Sequence, residues 1–150
     1  MASRDDPPAR LRRAYARTTF RAVTPLGTLD LRVGRRSELL NKLLRRYALG
    51  PWAYITAANP GSQLLTPEEN GRRNRILADR LERSGFVFFP GEGIGDDAGW
   101  PSEESFLVLG MSGDQAAAIG RDYGQLAVVT GQYRGAPELT WCAQQPERPA

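Results

Sequence analysis

Asn70, Asn74, Leu77 and Leu81 fall at i, i+4, i+7 and i+11, which at about 100° per residue is one stripe of a helix. Leu77 and Leu81 belong in a core, so the two amides face inward with them, nearer the helix start. Buried amides need partners, because an unsatisfied buried polar group costs about 1–3 kcal/mol. The nearest partners along the chain lie between Thr56 and Ser62, where a strand ends and Asn59-Pro60 shapes a turn. That turn lies past a strand's carboxyl end, a common place for ligands in open α/β sheets. Two readings stand: a ligand pocket built from Thr56, Asn59, Asn70, Asn74 and Gln125, or a buried network that only holds the loop. Glu103 and Glu104 precede an apolar run, and period-two alternation turns one of them inward. Since the chain has no histidine, a carboxylate is the natural general base, which makes Glu103 the candidate catalytic residue; an exposed strand entry is the alternative. Ser105 has no histidine or lysine nearby to activate it as a nucleophile.

The missing histidines exclude Ser-His, Cys-His and His-based metal sites. A metal would need carboxylates alone, which favours Mg²⁺, Ca²⁺ or Mn²⁺ over zinc; neither a metal ligand set nor a cofactor is expected. Gly91-Glu-Gly-Ile-Gly looks like a phosphate-cradling loop, but it lacks the Lys-Ser/Thr of a P-loop and opens no helix. Glu92, Asp96 and Asp97 would repel phosphate, so the segment reads as a flap over the pocket or as a plain connector. Glu69 reads as the N3 residue of a capping box that begins at Thr66. Tyr15 and Tyr123 read as core aromatics with tethered hydroxyls. The lone Cys142 excludes an internal disulfide framework, suits a reducing cytoplasm and reads as inert.

The elements that must position these residues follow from periodicity and punctuation. Asp6-Pro7-Pro8 predicts a helix start, with Leu11, Ala14, Tyr15 and Thr18 on its apolar side. Thr19–Val23 and Leu29–Val33 predict a hairpin, with Leu29, Leu31 and Val33 inward. Ser37 caps a helix carrying Leu39, Leu40, Leu43, Leu44 and Tyr47, stopped by Gly50-Pro51. A strand Trp52–Thr56 follows, then a helix from Thr66 to about Ser84 with Gly85 as its left-handed stop. Phe86–Phe89 predicts a strand ending at Pro90, Gly91–Gly99 a loop, and Ser105–Leu109 a strand buried on both faces. Ser112-Gly-Asp-Gln115 is a second capping box, opening a helix that Gly124 ends. Strands Leu126–Val129 and Leu139–Cys142 complete the order α-β-β-α-β-α-β-β-α-β-β. The expected class is α/β (α+β): a single mixed sheet packed by three to four helices, in one domain spanning 1–150 with frayed ends at about 1–6 and 144–150.

Charge is unevenly placed. Through Arg83 the chain carries 17 Arg+Lys and 8 Asp+Glu, and from Ser84 onward 3 and 9. One reading is a basic face for nucleic acid or an acidic protein; the other is two halves of one fold that offset each other. The basic residues are scattered over three helices without interleaved stacking aromatics. No apolar run approaches the ~20 residues that span a bilayer, and the opening residues lack the apolar core of a secretory signal. The reading is therefore cytoplasmic with no membrane partner, and the residues do not specify an oligomeric state.

Several segments, in order, resemble one family. They are Tyr15 with Thr18 and Thr19, Ile55-Thr-Ala-Ala-Asn-Pro-Gly-Ser, Glu69-Asn70, Gly91-Glu-Gly-Ile-Gly, Trp100 with Glu103-Glu-Ser-Phe-Leu-Val-Leu-Gly, and Tyr123-Gly-Gln-Leu-Ala-Val-Val. Together they resemble the bacterial domain of unknown function 3293, from about Ala14 to Thr140. The chain departs from the family's pattern at Ala58, where an aromatic residue is usual, and at Glu104, where Glu-Pro-Ser is usual. The resemblance implies a fold and a site location and brings no activity with it. The functional expectation is a polar pocket for a small polar ligand (a nucleotide, sugar or amino-acid derivative), with carboxylate assistance from Glu103 if a reaction occurs. The alternative is a non-enzymatic interaction protein with an arginine-rich face.

Overall fold

The computed structural model describes residues 7–97 and 99–142. The expected cap at Asp6 and both expected frayed ends lie outside those residues. The elements are α1 (Ala9–Ala16), β1 (Thr18–Thr24), β2 (Gly27–Leu31), α2 (Glu38–Tyr47), β3 (Pro51–Ile55), a 3₁₀ turn Pro60–Ser62, α3 (Pro67–Arg83), β4 (Val87–Gly95), β5 (Glu103–Leu109), α4 (Gly113–Asp122), β6 (Ala127–Gln132) and β7 (Glu138–Trp141). The element order and the α+β class are those read from the residues.

The seven strands form one sheet in the order β2-β1-β4-β5-β3-β6-β7. The sheet was expected to be mixed, yet every pairing is antiparallel. The reason is topological. A helical crossover joins like-directed strands, as α3 does for β3 and β4 and α4 for β5 and β6. Each crossover here skips one place in the sheet, and an oppositely directed strand fills the gap. Residues 51–132 are thus a β-α-β-β-α-β unit of the split β-α-β type, extended by the β1–β2 hairpin on one side and by β7 on the other. The sheet curls until its two ends meet, with Gly34 N donating to Pro137 O at 2.9 Å.

Alternation along the strands builds two cores. Trp52, Tyr54, Leu107, Leu109 and Val129 face one side, where they meet Leu40, Leu43 and Leu44 of α2 and Phe20, Ala22, Leu29 and Leu31 of the curled hairpin. Ala53, Ile55, Phe106, Val108 and Val128 face the other, against Leu77 and Leu81 of α3 and Ala116 and Ile119 of α4. The inner strands are covered on both faces, which is why they read as continuous apolar runs.

The helix ends show how local chemistry sets the boundaries. Ser37 accepts from Leu40 N, and Ser112 and Gln115 form a complete capping box. The box at α3 is only half made: Thr66 Oγ1 accepts from Glu69 N at 3.2 Å, but the Glu69 carboxylate takes the Thr66 hydroxyl instead of its N–H. α2 stops earlier than Gly50, at the left-handed Ala48, where Leu49 N bonds back to Leu44 O and Leu49 packs into the core. The largest departure is β4. It was expected to end at Pro90 and instead runs on to Gly95, with Gly91 paired to Ala22 and Ser105, and Gly93 to Phe20 and Glu103. Pro90 lies one residue beyond the last β1 partner, where the ladder on that side has ended. The loop proper therefore begins at Asp96, which Arg32 holds at 2.6 Å.

Candidate functional site

Immediately after β3 the backbone makes a tight, strained excursion. Asn59, Gly61 and Ser62 all have left-handed torsions, with φ of 46°, 64° and 60°. For residues other than glycine this conformation costs about 1–2 kcal/mol each. It persists because side chains of α3 satisfy the loop atom by atom. Asn74, fully buried, accepts from Ala57 N at 2.8 Å and donates to Glu104 O at 3.0 Å. Asn70 accepts from Asn59 N at 2.9 Å and donates to Asn59 Oδ1 at 2.8 Å. Arg73 donates Nε to Ala57 O at 2.6 Å and Nη2 to Tyr123 O, tying the loop to the end of α4. Thr56 Oγ1 donates to Glu104 O at 2.6 Å and accepts from Ala58 N at 3.1 Å. Gln125 Nε2 donates to Ala58 O at 2.9 Å, and Gly61 N to Gly124 O at 2.8 Å.

Asn59 sits at the centre of this network. Its Oδ1 accepts from Leu65 N and Asn70 Nδ2, and its Nδ2 donates to Glu103 Oε2 at 2.7 Å. Trp100 Nε1 approaches the same oxygen at 3.4 Å. Both donors address Oε2, which leaves Glu103 Oε1 without a partner among the described residues.

Glu103 opens onto a cavity of about 520 Å³. The strand register places its walls. Phe20 of β1 pairs with Gly93 of β4, Gly93 with Glu103 of β5, and Gly91 with Ser105, so all of these present one face of the sheet. Tyr54 and Val129 continue that face on β3 and β6. Gly91, Gly93 and Gly95 recur at period two; the Arg21 backbone closes in on Gly91, but the space over Gly93 and Gly95 is open, and these two line the cavity. α1 forms the opposite wall through Leu11, Ala14 and Tyr15, and Asp96, Asp97 and Trp100 line the rim. Tyr15 Oη donates to Ala127 O at 3.1 Å, which ties α1 to the sheet.

Thr56, Asn59, Glu103 and Gln125 line this cavity. Asn70 and Asn74 do not: they stand behind the loop, holding it from the α3 side. Their inward direction was legible in the helical stripe, but their distance from the cavity was not. Sequence reasoning missed Arg73, whose position between the two asparagines could have suggested it. It also missed Tyr54 and Ser105 as lining groups and α1 as a wall. The β4 glycines held a signal for the cavity, since glycine at every second position is strand spacing.

Burial sets the electrostatics. The Tyr15 hydroxyl is pushed above the ordinary tyrosine value chiefly by burial, with the Glu103 and Cys142 charges adding to it. The Tyr54 hydroxyl is likewise raised, chiefly by burial. Both phenols therefore stay neutral. Among the described residues the ion pairs are Arg21–Asp30, Arg32–Asp96 and Arg80–Asp122, so Glu103 has no cationic side chain within salt-bridge distance. No group of three or more metal-ligating residues occurs among the described residues, and none of their helices is long and apolar enough to cross a membrane.

Residues 55–128 match the model of the family described as "Protein of unknown function (DUF3293)". The match runs from the end of β3 into β6 and takes in the strained loop, α3, the glycine strand and Glu103. No curated protein and no solved structure matches the chain.

Proposed function

We propose that this chain, which belongs to the DUF3293 family over residues 55–128, binds a small polar ligand in the cavity beneath α1, with Glu103 and Gln125 meeting it. The supporting observation is the Glu103 carboxylate. One oxygen is fixed by Asn59 Nδ2 at 2.7 Å and faced by Trp100, while the other has no partner among the described residues, and Glu103 lines the cavity. A carboxylate held in one orientation by a strained, many-bonded loop is preorganised for a partner, which lowers the cost of binding. A volume of about 520 Å³ is within the usual range for small-molecule sites and suits a nucleoside, a sugar or an amino-acid derivative. The lone thiol, buried at Cys142, accords with a reducing cytoplasmic setting.

Binding is favoured over proton transfer. A general base serves best where a second group can supply a proton to the developing charge, and the nearby phenols are already engaged: Tyr15 and Tyr54 donate to the backbone carbonyls of Ala127 and Arg21. The interaction reading has less support. The arginines of α1 and α2 belong to elements on one side of the sheet, and those of α3 to the other, so they do not share a face.

The test is a thermal-shift screen of a metabolite library on the full chain and on Gly93→Leu, a substitution that fills the cavity from an open strand position. A Cβ at Gly93 would meet nothing closer than 3.9 Å. At least one compound should raise the melting temperature of the parent chain and leave that of Gly93→Leu unchanged. Equal shifts in both proteins, or none in either, would defeat the reading.

A further inference from the structure

The cavity is polarised in hydrogen-bonding sense, and from this we infer that its ligand is an organic cation, a primary amine, amidine or guanidine, seated with its N–H groups on Glu103 Oε1 and Gln125 Oε1. The inference rests on the cavity being a binding site. It concerns what the inner wall can still accept and donate once its internal bonds are counted.

The inner hydroxyls have committed their protons. Tyr15 donates to Ala127 O, Tyr54 to Arg21 O, Ser105 to Glu103 O and Thr56 to Glu104 O, at 3.1, 2.6, 2.9 and 2.6 Å. Each hydroxyl has one proton and two lone pairs, so what remains of these groups toward the cavity is acceptor. Gln125 is 9 % exposed. Its Nε2 is spent on Ala58 O, and its Oε1 has no partner among the described residues. Among the described residues, Glu103 Oε1 has no partner and no cation lies within salt-bridge distance of the carboxylate. An inner wall of unmatched acceptors, one of them charged, selects among ligands for those that bring donors, and a positively charged one best.

Two further features agree. Tyr15, Phe20 and Tyr54 form a continuous aromatic wall, with centroids 5.9 and 5.3 Å apart in sequence, and Trp100 lines the rim; ring faces attract cations. Arg13 of α1 and Arg17 at its C-terminal cap also line the cavity; both are exposed, and neither lies within salt-bridge distance of Glu103.

Isothermal titration of the full chain decides the matter. 2-Phenylethylamine, tyramine and agmatine serve as cations, with 2-phenylethanol and 3-phenylpropionate as neutral and anionic controls of similar shape. The expected result is binding by one or more cations and by neither control. Glu103→Gln should weaken that binding roughly tenfold or more, since a charge-assisted bond is lost, and Gly93→Leu should abolish it. Circular dichroism melts identify any variant that fails to fold, and the two substitutions act from different strands. Binding of a control as tight as the amines, sensitive to Gly93→Leu, overturns the cation inference and leaves the cavity reading standing. Absence of binding by this panel and by the wider library overturns both.

Discussion

Asn59 shows how much one side chain can be asked to do. It takes the left-handed backbone that asparagine tolerates better than most residues, accepts from Leu65 N and Asn70, and orients Glu103. Asn59→Asp replaces the donor facing Glu103 with a second carboxylate oxygen at about the same place. The loss of the bond and the new repulsion should lower stability by about 2–4 kcal/mol, read from urea unfolding, and should abolish ligand binding. A variant as stable as the parent would show that the loop does not depend on this contact. Asn74 makes a different case, because it bonds to backbone, at Ala57 N and Glu104 O, and does not line the cavity. Asn74→Ala leaves Ala57 N unpaired in the core and should cost on the order of 2–3 kcal/mol. Below the unfolding transition, ligand affinity should change far less than in Glu103→Gln. A large affinity loss in folded Asn74→Ala would mean that the loop relaxes into the cavity.

At the scale of elements, β4 separates two uses of glycine. A Cβ on Gly91 would sit 1.7 Å from Arg21 O, so the neighbouring backbone excludes any side chain there, whereas a Cβ on Gly93 meets nothing closer than 3.9 Å. Gly91→Ala should therefore destabilise by more than about 3 kcal/mol. Gly93→Ala, two residues along the same face, should be neutral or stabilising by up to about 1 kcal/mol. Chemical denaturation of the pair checks this, and similar losses in both would show that the strand is not held in this register. The same strand marks where sequence reasoning ran out. The stripe Asn70, Asn74, Leu77, Leu81 was legible because helical period is a local property, and so were the buried runs of β3, β5 and β6. Pro90 followed by alternating glycines reads locally as a loop, and only pairing with β1 on one side and β5 on the other makes it a strand. Strand direction was hidden for the same reason: which strand fills the gap left by a crossover is decided by partners far away in the chain. The cavity depends on both, since its wall is the bare face of β4 and its cover, α1, comes from the other end of the chain.

Over the whole molecule, the titratable groups define the pH range in which the fold is secure, and an absence of histidine leaves its middle flat. On the acid side, Asp30 and Asp96 are held below the usual carboxylate value by their bonds to Arg21 and Arg32. A carboxyl depressed in the folded state contributes stability that is present above its unfolded value of 3.8 and lost as pH falls through the lower folded value. Both pairs are exposed, so the loss is small and confined to pH below about 4. On the alkaline side the sign reverses. Burial raises the Cys142 thiol from 9.0 to about 11 and raises the Tyr15 and Tyr54 phenols above 10.0. A neutral acid with a raised folded value stabilises the fold fully below its unfolded value, and that stability is lost as pH rises toward the folded one, because the unfolded chain ionises first. The urea midpoint should hold level from about pH 5 to 8, then fall from about pH 9 as the thiol and then the phenols ionise in the unfolded state. Tyr15→Phe should make the decline shallower, and because Tyr15 also ties α1 over the cavity through Ala127 O, it should weaken ligand binding even at pH 7. A midpoint that is level through pH 10.5, or that falls equally in Tyr15→Phe, would show that α1 leaves the Tyr15 hydroxyl open to water, and the cavity would then lack the wall on which its acceptor-lined interior depends.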